Sequence, residues 1–253
     1  MNRAIGTLKG KNVVVLGASR GVGRETVRRA FMEGACVLAV ARGSDGLQQL
    51  TDELPGIQTL ALDAAADHAP PRVFDRLCPD VMVVCGGAIP TLRPVHNLSW
   101  EQFATAWETD VKMSFLFCSH ALRTPLAHGS TVILISSGAG IHGSPISGGY
   151  AGAKRMQMFM ASYCQKESAR LGLGIRFAAL VPMRLMPETA LGKVAVEGYA
   201  RYLGMKPAEF IECMTGRQSA ADVAAAVVRI ATESSAGSDT VFTVSAEGMS
   251  LLS

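Results

Sequence analysis

Short β-branched apolar runs recur along the chain, each closed by glycine or a polar residue, and between them apolar positions fall at helical spacing. Asn12 to Leu16 (NVVVL) is the first such run. A continuous apolar run of this length reads as a strand covered on both faces. It stops at Gly17-Ala18-Ser19-Arg20-Gly21-Val22-Gly23, after which Val22, Val27, Ala30 and Phe31 alternate with Arg24, Glu25, Arg28 and Arg29. That alternation predicts a helix from Val22 to Met32 that opens directly from the glycine turn. Cys36 to Ala41 predicts a second strand, residues 57–62 a third ending at Asp63, and residues 81–85 a fourth ending at Gly86-Gly87, with a short helix over Arg72 to Leu77.

Further along, Ser99 with Gln102 predicts a capping box before a long helix carrying Phe103, Trp107, Val111, Phe115 and Cys118. Asp110 lies inside that helix, where a buried carboxylate needs partners. A fifth strand over residues 131–135 runs into ISSGAGIHGSPISGGYAGAK, and a helix is expected from Tyr150 to about Leu171, ended by Gly172 and Gly174. Ile175 to Val181 predicts a sixth strand stopped by Pro182, Ser219 to Thr232 an alanine-rich helix, and Thr240 to Ser245 a last strand. The βαβαβαβ order calls for a parallel sheet with right-handed crossovers. The expected fold is therefore α/β: a doubly wound sheet of about seven mainly parallel strands between two layers of helices.

Composition narrows this further. The 253 residues, 49% hydrophobic with 26 glycines, suit one large domain, with an irregular insertion at about 183–217. A net charge of +3 without a basic run leaves no footprint for nucleic acid. No apolar run approaches the roughly 18 residues of a membrane span, and MNRAIGTLKGK lacks an apolar signal core, so a soluble cytoplasmic protein is expected. The six cysteines are far apart with no CxxC, which reads as reduced thiols, and the five histidines are scattered, so no metal site is expected.

Two stretches carry chemistry. Strand, glycine turn and helix is the arrangement in which backbone N–H groups at a helix N-terminus cradle a pyrophosphate, although glycines at 17, 21 and 23 depart from the spacing GxGxxG. Arg42 directly follows the second strand, where an acid would take a ribose 2′-hydroxyl and an arginine accommodates a 2′-phosphate; Arg20 in the turn is a second phosphate partner. NADP(H) is favoured, NAD(H) remaining open. In the later stretch Ser136 and Ser137 close a strand, while Tyr150 and Lys154 stand four apart on one helix face. If the loop folds back, a hydroxyl meets a phenol whose pKa the lysine charge can lower. The insertion supplies Met183, Leu185, Met186, Leu191, Tyr199, Tyr202, Leu203, Met205, Phe210 and Met214, which either line a pocket or pack its own short helices. Arg184 could meet an anionic group or only water, and His142 reads as structural.

Together these residues resemble the short-chain dehydrogenase/reductase family across nearly the whole chain: the turn Gly17 to Gly23, the pair Gly86-Gly87, and Ser137 with Tyr150 and Lys154. The resemblance implies a Rossmann-type sheet, a nicotinamide dinucleotide, hydride transfer with a small carbonyl or alcohol substrate, and a homodimer or homotetramer built on paired long helices. It implies that Tyr150 is the general acid or base, that Lys154 stabilises the phenolate and holds the nicotinamide ribose, and that Ser137 rather than Ser136 donates to the substrate oxygen. Cofactor contacts are implied at Gly17, Ser19, Arg20, Gly21, Val22 and Gly23 of the turn, and at Arg42, Asp63, Gly87 and Pro182 beyond it. The chain departs from the family at Asp110, where an asparagine usually completes the catalytic set through a water relay, and at Leu16, Cys85 and Met183, where threonine, asparagine and glycine are usual. An ionised aspartate accepts hydrogen bonds but donates none. Those departures motivate an alternative: an NADP(H)-binding sensor or scaffold that has lost catalysis.

Overall fold

A computed structural model describes residues 7–216, 218–233 and 239–252. The first half alternates strand and helix: β1 (Asn12–Leu16), α1 (Gly21–Met32), β2 (Cys36–Ala41), α2 (Ser44–Glu53), β3 (Gln58–Ala61), α3 (Ala69–Arg76) and β4 (Val81–Val84). There follow α4 (Trp100–Ala106), a π-helical turn (Trp107–Val111), α5 (Lys112–Arg123), β5 (Thr131–Ile135), the single turn α6 (Ala139–His142) and the long α7 (Gly148–Arg170). The chain continues through β6 (Arg176–Pro182), α8 (Ala190–Leu203), α9 (Pro207–Cys213), α10 (Ala220–Thr232), β7 (Val241–Ser245) and β8 (Gly248–Leu251).

These strands form one 8-stranded sheet in the order β3-β2-β1-β4-β5-β6-β7-β8. All neighbours run parallel except β7 and β8. The order reverses between β1 and β4, so their C-terminal ends diverge into the crevice where doubly wound sheets bind ligands. Successive strand side chains alternate faces, and the core accordingly divides in two. Val13, Val15, Val37 and Ala39 pack under α1, α2 and α10 through Val27, Leu50, Val223 and Ile230. Val14, Leu16, Leu38 and Val40 pack on the other face under α3, α5 and α7 through Val73, Phe117, Met158 and Ala161. Each fully buried side chain of this size stabilises by about 1.5–3 kcal/mol.

Some details differ from expectation, among them Pro182, which lies inside β6 paired with Val244 instead of ending the strand before it. An eighth strand, Gly248–Leu251, joins antiparallel through the two-residue link Ala246-Glu247. The third helix starts at Ala69 rather than Arg72, because Pro70 and Pro71 occupy first-turn positions whose N–H groups need no partner. The long helix is capped by Ser99 and Gln102 as expected, but the π turn interrupts it around Asp110. The helix that the βαβαβαβ order requires between β2 and β3 spans Ser44–Glu53. The insertion folds as α8, capped by Thr189 and ended by Gly204 at φ 71°, and as α9. Its last expected residue, 217, and the stretch 234–238 lie outside the described residues.

Candidate active site

The C-terminal ends of β1, β2, β4, β5 and β6 open into a cavity of about 670 Å³. At one end the glycine turn closes over the sheet. Gly17 has φ +80°, and a Cβ there would come within 2.4 Å of Gly86 Cα, so the turn requires glycine and packs directly on the loop after β4. Ser19, Arg20, Gly21 and Val22 line the cavity at the N-terminus of α1. Gly23 does not line it: a Cβ at that position would lie 2.2 Å from Gly17 O, so Gly23 lets α1 sit close against its own turn. Arg42 and Asp63 line the same end from behind β2 and β3. Among the described residues neither Arg20 nor Arg42 is ion-paired, whereas Arg24 and Arg28 of α1 are both bound to Glu53. Asp63 Oδ1 accepts from Ala65 N at 3.0 Å, which fixes the carboxylate at the turn after β3.

The other end holds the reactive set. Ser136 Oγ donates to Lys154 O at 2.7 Å, tying the end of β5 to α7. Ser137, one residue on, faces the cavity and accepts from Ala139 N at 3.3 Å. Tyr150 and Lys154 line the cavity from the first turns of α7, with Nζ 5.6 Å from the phenol ring centre. Gly149 permits this approach, since a Cβ there would strike Phe103 O at 1.8 Å. Pro182 and Met183 close the floor at the end of β6, and Pro182 O accepts from Gly138 N at 2.8 Å.

Asp110 is brought in by the π turn. Its Oδ2 lies 3.0 Å from Lys154 Nζ, and the side chains are 1% and 7% exposed. Oδ1 accepts from Ala88 N and Thr109 Oγ1, both at 2.9 Å, so the carboxylate clamps the loop carrying Gly87. The aspartate meets the ammonium directly. Burial would lower the Lys154 pKa, but the Asp110 charge and the phenol outweigh it and hold the ammonium protonated above the usual lysine range.

For Tyr150 the balance differs from expectation. Burial pushes its pKa up, and the Lys154 charge and a hydrogen bond from Ser137 pull it down without overcoming burial; Asp110 adds to the upward push. The phenol therefore stays protonated beyond the ordinary tyrosine range. Cys85, at the end of β4, has its thiol pushed up to about 12 by burial and is a neutral wall of the site.

The family model described as short chain dehydrogenase matches residues 11–198. The chain belongs to that family. L-xylulose reductase from Homo sapiens is 30% identical over 132 residues, 51% of this chain and 54% of that protein. Carbonyl reductase [NADPH] 2 from Sus scrofa is 27% identical over 130 residues, 51% and 53% of the two chains. The chain thus spans about half the length of these curated relatives. A short-chain dehydrogenase/reductase of the glucose/ribitol dehydrogenase type from Brucella melitensis superposes with a TM-score of 0.77 at 18% identity, covering 95% of this chain and 97% of that one, a likeness of fold.

Within this short chain dehydrogenase, sequence reasoning missed two buried polar residues beside the site. Gln157 is fully buried and accepts from Lys154 Nζ at 3.0 Å; its Nε2 donates to Ser114 Oγ at 2.9 Å. The available signal was a polar side chain inside the apolar stripe of α7, one turn after Lys154. Of the insertion residues, Met183, Leu185, Met186, Leu191 and Tyr199 line the cavity. Tyr202 and Leu203 are exposed, and Phe210 stacks on the Tyr199 ring at 5.6 Å, joining α9 to α8. His142 and Arg184 stand at the rim, both exposed. Among the described residues no group of three or more His, Cys, Asp or Glu side chains could hold a metal, and no helix is long and apolar enough to cross a membrane.

Proposed function

We propose that this short chain dehydrogenase is an NADP(H)-dependent oxidoreductase acting on a carbonyl or alcohol, with Tyr150 as its general acid and base. The observation that carries the reading is convergence: Ser137, Tyr150 and Lys154 line the same cavity as the glycine turn, Arg20 and Arg42. The turn is compatible with a dinucleotide: Gly17 seats it on the loop after β4 and Gly23 seats α1 against it, which leaves Ser19, Arg20, Gly21 and Val22 at the helix N-terminus open to the cavity. When bound, the nicotinamide supplies or accepts the hydride. The chain's own residues handle the oxygen and its proton. Ser137 O–H donates to the substrate oxygen, where negative charge grows during reduction. Tyr150 gives its phenolic proton to that oxygen as the carbonyl becomes an alcohol, and Lys154 stabilises the phenolate left behind. In oxidation the same phenol takes the proton back.

The walls support a substrate that is apolar away from its carbonyl, since Met183, Leu185, Met186, Leu191 and Tyr199 line the same cavity as the reactive set. Arg20 and Arg42, without ion-pair partners among the described residues, support a 2′-phosphate at the far end. A second reading, an NADP(H)-binding sensor or scaffold, is favoured by one observation: Asp110 already holds the ammonium that a catalytic site would direct to the cofactor. Purified protein with NADPH and a panel of ketones separates the two. Loss of nicotinamide absorbance supports the enzyme; tight NADPH binding without turnover across the panel supports the sensor.

A further inference from the structure

An ammonium has three N–H donors; in this site the chain takes up two of them in hydrogen bonds and pairs the charge with a buried carboxylate oxygen that has no other partner among the described residues. Lys154 Nζ lies 3.1 Å from Ile135 O, 3.0 Å from Gln157 Oε1 and 3.0 Å from Asp110 Oδ2. The first partner is the last carbonyl of β5 and is fixed by the sheet. The second and third are joined behind the lysine. Gln157 Nε2 donates to Ser114 Oγ at 2.9 Å, and Ser114 donates to Asp110 O at 2.7 Å. Lys154, Gln157, Ser114 and Asp110 thus form a closed ring, with Gln157 and Ser114 both fully buried. A buried amide without partners would cost several kcal/mol, so its place in the α7 stripe is tolerated because the ring satisfies it.

We propose that Gln157, oriented by Ser114, is a positioning residue that fixes the Lys154 ammonium on Asp110, and that Asp110 thereby offsets the ammonium's charge at the Tyr150 phenol. The consequence for turnover rests on the oxidoreductase reading; the charge arrangement does not. A lone ammonium beside a phenol favours the phenolate strongly, whereas an ammonium paired with a carboxylate acts on it only as a dipole. The groups facing the phenol are few. Lys154 comes from α7, Ser137 from the end of β5, Asp110 from the π turn, and the neutral Cys85 thiol from the end of β4. His142, Arg184 and Tyr199 line the same cavity from α6, the segment after β6, and α8. In that setting Tyr150 keeps its proton through neutral pH and is ready as the donor in reduction, and oxidation waits for alkaline pH.

Ultraviolet pH titration of the phenols in the free protein, with Tyr150→Phe as the subtracted reference, reads this group alone. Asp110→Asn is expected to move the Tyr150 titration to lower pH by about one unit, the effect of removing a nearby like charge. Gln157→Leu, close in shape, is expected to move it the same way by less, because the released ammonium can close on the phenolate. Ser114→Ala repeats that arm by removing the amide's anchor with almost no change in volume. A Tyr150 titration unmoved in Asp110→Asn would overturn the charge offset. Melting temperatures lowered in both Gln157→Leu and Ser114→Ala with the titration unmoved would overturn the positioning role. The titration needs neither cofactor nor substrate, so its outcome is separate from whether any carbonyl is reduced.

Discussion

Lys154 Nζ and Asp110 Oδ2 are 3.0 Å apart, and both side chains are almost wholly withdrawn from solvent. Removing one partner of such a pair leaves an uncompensated charge in the interior, at a cost of about 3–5 kcal/mol. Asp110→Ala also frees Ala88 N and Thr109 Oγ1, which share the other oxygen. The expected outcome is a loss of stability of about 3 kcal/mol or more in urea unfolding. Asp110→Asn keeps an acceptor for both donors and is expected to lose about half as much.

Arg42 and Arg20 stand exposed at the mouth of the cavity, and neither is ion-paired among the described residues. A charge-assisted hydrogen bond to a phosphate contributes about 1.5–3 kcal/mol, or roughly tenfold to a hundredfold in affinity. Arg42→Ala is expected to weaken NADPH binding by at least about tenfold in calorimetry while NADH changes little. Equal weakening of both would remove the 2′-phosphate role from this residue.

Acid is expected to weaken the contact between α1 and α2. Glu53 accepts from Arg28 Nη2 at 2.7 Å and Arg24 Nη2 at 3.0 Å, and these bonds hold its carboxyl down at about 2. A depressed carboxyl stabilises the fold above its unfolded pKa of about 4.3 and stops doing so as pH falls through its folded value. The melting temperature is therefore expected to fall between about pH 4.5 and 2, from the ordinary value of this carboxyl to its folded one. Glu53→Gln should show a shallower fall over the same window.

Phe115, Phe159 and Tyr163 are 58%, 60% and 64% exposed, and the last two rings stack at 5.9 Å along α7. An apolar surface on α5 and α7 of this kind supports the oligomer through paired long helices that the family resemblance implies. Phe159→Glu is expected to shift the protein to a smaller species in size-exclusion chromatography with light scattering. An unchanged mass would count against an oligomer built on this surface.

The parts of the molecule legible in the sequence are those where one local pattern decides. The runs NVVVL, CVLAVA and TVILI became β1, β2 and β5 with the bounds expected, because they are only five or six residues long, rich in valine and isoleucine, and closed by glycine or polar residues, which favours a strand over a helix. Ser137, Tyr150 and Lys154 came together because a strand end and the first turns of a helix are rigid supports. The eighth strand was not legible: GMSL has neither alternation nor length, and only its pairing with β7 makes it a strand. The π turn was equally hidden, since a single extra residue in a helix leaves the apolar spacing nearly intact. The partners of Asp110 and Gln157 are set by how α5 and α7 face each other across the site, which spacing along one helix does not report.

The measurement closest to the central claim is the reduction of a ketone panel by NADPH, compared between the unaltered protein and Tyr150→Phe. General acid catalysis typically contributes about 10²–10⁴-fold. The expected result is turnover that falls by about a thousandfold in Tyr150→Phe with NADPH still bound, and whose reduction rate holds through neutral pH because the phenol keeps its proton. Turnover unaffected by Tyr150→Phe, or absent from the unaltered protein across the panel, would contradict it.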